Sequence, residues 1–100
     1  MTNFDTKDLT AIRAGIDDVD RQILQLLGKR QALVQQVIPI KLKGHLPARI
    51  PGRVLQVIEG AVALAPLHGV DPDLARTVWS AMVEWFVAHE EAALKSAAHN

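Results

Sequence analysis

Seven cations and no acid lie between Asp20 and Glu59: Arg21, Lys29, Arg30, Lys41, Lys43, Arg49 and Arg53. The formal net charge is zero, so positive charge is concentrated in the middle of the chain, and that segment wants an anion. Residue type narrows the chemistry. A planar guanidinium donates two parallel bonds to a carboxylate. The chain has no cysteine, so thiolate nucleophiles and disulfides are excluded. There is no Ser/His/Asp nucleophile context and no glycine-rich phosphate loop, and His45, His68, His89 and His99 lack metal-ligand spacing. Neither a metal nor a cofactor is expected. Nucleic acid fits poorly, because charge is balanced, aromatics are only 4% and no recognition or stacking motif is present. A small multi-anionic ligand fits better.

The first element that must carry these cations is long. Leu9, Ile12, Ile16, Val19, Ile23 and Leu26, then Leu33 and Val37, recur at helical spacing and form one amphipathic stripe. Arg30 fills the gap in it. A charge on an apolar seam must meet an anion or escape to water, so Arg30 reads either as a ligand contact or as an edge residue that snorkels. A helix from about residue 7 to 43 is ~50 Å long, against a radius of gyration of ~13 Å for a compact chain of this size. Its stripe cannot be covered by its own chain along its whole length, and an obligate homodimer is the expectation. Pro39 should kink this helix or end it early. If the helix continues, Arg30, Val34, Val37 and Lys41 share a face.

Gly44 to Pro51 is a loop rich in glycine and proline. A second helix is predicted over 51–65, opening with proline at its first position. Arg53 stands in its first turn, where the helix dipole disfavours cations; it marks an anion site or is a solvated surface residue. Asp71-Pro72-Asp73 is a strong start for a third helix over 72–95. That helix is apolar on two sides: Leu74, Val78, Met82 and Trp85 form one stripe, and Trp79, Val83 and Phe86 the other. The second stripe continues to Glu90. There, a carboxyl must find a cation or stay neutral, unless it belongs to an exposed Glu90-Glu91 pair.

The chain is read as one domain over 1–100, all-α, with a core of Leu, Val, Ile and Ala drawn from its 49% apolar residues. No apolar run approaches the ~20 residues of a membrane span. The N-terminus MTNFDTKD has no secretory character, and a cytoplasmic protein is expected.

The ordered set of Arg13, Arg30 and Lys41 on a long helix, Arg53 opening a second and residue 90 near the end of a third resembles the all-helical (AroQ-type) chorismate mutase family. The segment IRAGIDDVDRQILQLLGKR is characteristic of it, while IPGRV, VDPDL and EWF look closer to its isochorismate pyruvate-lyase branch. The resemblance implies a type II fold: one long and two shorter helices in an intertwined homodimer. It implies chorismate mutase or isochorismate pyruvate-lyase activity on a small dicarboxylate. Arg13 of the partner subunit, Arg30 and Arg53 would bind the substrate's carboxylates, with Val54 and Phe86 also lining the site, and Lys41 and Glu90 would act at the ether oxygen. It also explains a spacing: Arg13 and Arg30 are ~25 Å apart along a helix, too far to hold one small molecule from the same chain.

Such a rearrangement is pericyclic and needs no nucleophile, which suits this residue set. Housekeeping mutases are similar to one another in placing an acid directly after the arginine matching Arg53; here it is Val54, as in the lyase branch, and Ile50 replaces a second acid. The lyase's usual glutamine is Glu90, as in fungal-type mutases, and a carboxyl donates a hydrogen bond only when neutral. The alternative is a catalytically silent helical dimer that binds an anionic metabolite or a partner protein.

Overall fold

The computed structural model describes residues 6–98, all in helices or the connections between them. Three α-helices occupy Thr6–Lys43 (α1), Pro51–Leu64 (α2) and Pro72–Ala98 (α3), and a short 3-10 helix over Ala65–His68 follows α2 directly. The expected all-α class is what is observed, and the helix limits fall within about three residues of those predicted. No helix among the described residues is long and apolar enough to cross a membrane.

Each boundary has a local cause. Asp8 in the first turn of α1 and Lys41 and Lys43 in the last complement its dipole. Helix α1 ends in a Schellman motif, with the Leu46 N–H donating to the Lys41 carbonyl (2.8 Å) and the His45 N–H to that of Leu42 (3.3 Å). The left-handed residue that such a motif requires is His45, at φ 55°, and not the adjacent Gly44. Pro51 opens α2, and Asp71 caps α3, its Oδ1 accepting from the Asp73 N–H at 2.9 Å. Gly69, at φ 70°, closes the 3-10 helix.

Pro39 does not end α1, which continues as α-helix to Lys43. A proline costs the helix one hydrogen bond and a local clash. Here the stretch around it is anchored by buried Ile38 and by the Schellman turn that follows.

The chain forms two compact units, one ending at Gln35 and one beginning at Gln36. The first contains the amphipathic stripe from Leu9 to Leu33, and its members are exposed: Ile12 62%, Ile16 53% and Leu26 63%. In the second, α2 packs against α3. Ala48, Val83 and Val87 form its buried centre, with Val54, Val57, Ile58 and Leu94 packed against them. Only one side of α3 is covered: Ala75, Val83, Phe86, Val87 and Glu90 are buried, whereas Leu74, Val78 and Trp85 of the other stripe are exposed.

Candidate functional site

Lys41 sits in the last turn of α1. The Schellman turn after it reverses the chain, so that Ala48, seven residues on, returns to the lysine's side chain. The Lys41 ammonium donates to the Ala48 carbonyl and to Glu90 Oε1, both at 2.8 Å. Both side chains of the ion pair are largely enclosed, 13% and 11% exposed.

Helix α3 supplies the other half by its periodicity. Val83, Phe86, Val87 and Glu90, separated by three or four residues, share its buried face, and Ala48 joins Val83 and Val87 in one buried apolar cluster. The same face therefore carries the apolar floor beneath Ala48 and the carboxylate that meets Lys41. A carboxylate and an ammonium taken out of water each lose several kcal/mol of hydration, which only close pairing and further hydrogen bonds offset. The Ala48 carbonyl is one such bond. The predicted need of Glu90 for a cation is thus met, and Glu90 is not part of an exposed acidic pair: it is 8% exposed, and Glu91 is exposed.

The other predicted residues fall as follows. Arg53, exposed in the first turn of α2, donates to Gln56 Oε1 at 2.9 Å. Val54 is half-buried and packs on the Ala48–Val83–Val87 cluster, so its side chain is part of the core. Phe86 is buried, 7% exposed, with its ring edge-on to Trp85 at 5.0 Å. Arg13 is exposed and Arg30 half-buried, both in the unit that ends at Gln35. Lys41 and Glu90, 49 residues apart in sequence, are the predicted pair that folding brings into direct contact.

One backbone group and two side-chain pairings carry no signal in the sequence. The Ala48 carbonyl is backbone, and residue type does not reveal it. Arg49 and Glu84, 35 residues apart, join fork to fork, Nη1 to Oε1 at 3.0 Å and Nη2 to Oε2. Arg76 and Glu59 do the same between α3 and α2, at 2.7 and 3.1 Å. These hydrogen bonds hold the Glu84 and Glu59 carboxyls below their ordinary range and raise their arginine partners. Gln56 was findable, being three residues after Arg53 on the same helix.

An apolar hollow of about 260 Å³ lies elsewhere in the second unit, walled by Leu64, His68, Val70 and Trp79 among others. It has no arginine or lysine, and suits a dicarboxylate poorly.

The family model described as chorismate mutase type II matches residues 12–91. A T-protein of Enterobacter agglomerans is 39% identical over 71 residues, which is 71% of this chain and 19% of that protein. A chorismate mutase of Methanocaldococcus jannaschii is 29% identical over 76 residues, 76% of this chain and 77% of that one. A 4-amino-4-deoxychorismate mutase of Streptomyces pristinaespiralis is 30% identical over 78 residues, 78% of this chain and 60% of the relative. The chain spans about a fifth of the length of the T-protein that it matches.

Proposed function

The chain belongs to the chorismate mutase type II family, and from that premise we propose that it is an isomerase converting chorismate to prephenate. The observation that carries the reading is the enclosed ammonium of Lys41, held by the Ala48 carbonyl and Glu90. An ammonium has three N–H donors. Two are committed in the structure, and the third serves the ether oxygen of a substrate, on which negative charge grows as the carbon–oxygen bond breaks. A fixed donor at that point stabilises the transition state more than the ground state, which is what raises the rate.

In this proposal the protein supplies position and charge and no covalent step. Arg30 and Arg53 bind the substrate carboxylates, Arg53 giving up Gln56 as it does so. Arg13 of the partner subunit completes the set, and the substrate is held as its compact reactive conformer. Phe86 and Val54 supply apolar wall. Glu90 orients Lys41 through Oε1, and when neutral it donates from Oε2 to the same ether oxygen.

The exposed stripe of α1 supports a homodimer. A large apolar side chain gains about 1.5–3 kcal/mol on full burial, so covering the roughly half-exposed Leu9, Ile12, Ile16, Val19, Ile23 and Leu26 contributes about 5–10 kcal/mol per chain, a large part of the whole stability of a small domain. A second copy, carrying the same stripe, is the occupant proposed. Mixed dimers test the shared site: Arg13→Ala and Lys41→Ala are each inactive alone, and co-assembled they regain one competent site of the two. No regain on mixing would place Arg13 outside a shared site.

The substrate is tested by offering chorismate, isochorismate and the 4-amino analogue to the purified protein while following loss of substrate and release of pyruvate. Consumption of chorismate without pyruvate is the expected result. Val54 favours a second reading, because it offers no hydrogen bond to a ring hydroxyl. Pyruvate released from isochorismate would establish the lyase activity, and preference for the amino analogue a mutase of that ring.

A further inference from the structure

We propose that the Arg49–Glu84 pair is a positioning device for Lys41, pinning the loop whose Ala48 carbonyl holds the ammonium. The catalytic part of this inference rests on the role proposed above for Lys41; the structural part does not.

Arg49 directly follows Ala48, and Glu84 directly follows Val83, which shares a buried apolar cluster with Ala48. Helix α3 therefore grips the loop twice at adjacent positions, once by apolar contact with Ala48 and once by the two-pronged bond to Arg49. Between these grips the Ala48 carbonyl points to Lys41 Nζ. A hydrogen bond to an ammonium is sensitive to direction, so a loop free to slide would leave Nζ with Glu90 as its one fixed partner.

The loop also begins under strain. His45 takes a positive φ that β-carbon-bearing residues avoid, and such a conformation persists only where surrounding contacts over-determine it. The Arg49–Glu84 fork is one of those contacts. An isolated exposed ion pair contributes little to stability, but this one has a second consequence that Arg76–Glu59, of the same chemistry and similar exposure, lacks. Arg76–Glu59 joins two helices that already pack together and touches no part of the loop. It is the internal control.

The test compares Arg49→Ala, Glu84→Ala, the charge swap Arg49→Glu with Glu84→Arg, and the control Arg76→Ala. Three quantities are measured: kcat and KM with chorismate, hydrogen exchange of the Leu46 amide, and the melting temperature. Arg49→Ala and Glu84→Ala are expected to lower kcat by ~10-fold with KM changed less than ~2-fold, because an ångström of misplacement harms the transition state more than binding. They should also speed Leu46 exchange, with melting unchanged. The swap restores both, and Arg76→Ala alters neither. Unchanged Leu46 exchange in Arg49→Ala and Glu84→Ala overturns the proposal, as does an equal fall of kcat in Arg76→Ala. If the wild-type protein leaves chorismate untouched, the catalytic reading fails, and the exchange measurement alone decides whether the pair anchors the loop.

Discussion

Val19 and Val87 are the same residue on the same kind of helical stripe, yet one is 51% exposed and the other 5%. The first lies in the unit ending at Gln35, the second in the unit beginning at Gln36. Nothing in the local pattern separates them. Beyond Gln36 the chain supplies its own cover, because a turn at Gly44–Leu46 and another at Gly69 fold α2 and the loop onto α3. Before Gln35, α1 offers a face of Leu, Ile and Val with large fractions exposed. An amphipathic pattern records that a face needs cover, and leaves open which surface provides it.

The two regions should respond differently to substitution, and the largest response belongs to the covered one. Lys41→Ala is expected to abolish turnover, by ~10³-fold or more if the ammonium acts as oxyanion donors do. It also leaves Glu90 buried without its cation, so melting temperature should fall with activity. Residual turnover within a few-fold of wild type would remove Lys41 from the chemistry.

Glu90→Gln comes next. The amide keeps an acceptor for Lys41 and supplies a donor at every pH, whereas a carboxylate only accepts. Activity should rise, by up to ~10²- to 10³-fold. An inert Glu90→Gln would leave Lys41 alone on the ether oxygen.

A matched pair of core truncations addresses the contrast directly. Val83→Ala should cost about 1–3 kcal/mol at any protein concentration, since its cover is within the chain. Val19→Ala should cost a similar amount and also weaken association, so that its melting midpoint depends more steeply on protein concentration than that of Val83→Ala. Equal, concentration-independent effects of both in denaturant melts would show that the stripe needs no partner.

Smaller effects sharpen the account of the loop. His45→Gly removes the positive-φ penalty and should stabilise by about 0.5–1 kcal/mol, read as a raised melting temperature. Glu84 and Glu59 have carboxyls lowered by their arginines. A lowered carboxyl contributes above the pKa of the unfolded chain, and its contribution is lost as pH falls through the folded value. Leu46 amide protection, corrected for intrinsic exchange, should therefore hold from neutrality down to the ordinary carboxylate range and drop only below it. Loss already near neutrality would mean that Glu84 does not anchor the loop.

Much of this was legible from residue order, wherever the determinant is local. Proline at the first position of α2, the Asp71 cap and the helical spacing of Val83, Phe86 and Glu90 act within one or two turns, so spacing alone exposes them. The requirement that a carboxyl at position 90 meet a cation is equally local, because it follows from the apolar face that carries it. Which cation meets it is not. Lys41 is 49 residues away, and its selection over Arg30 or Arg53 depended on how the chain reverses after α1. The reversal has no signature in residue type either, since His45 and not the adjacent Gly44 takes the left-handed position. The survival of α1 through Pro39, the Ala48 carbonyl on the ammonium and the fork between Arg49 and Glu84 were decided by packing. Each depends on contacts between residues distant in sequence, whose worth exists only once the chain has closed on itself.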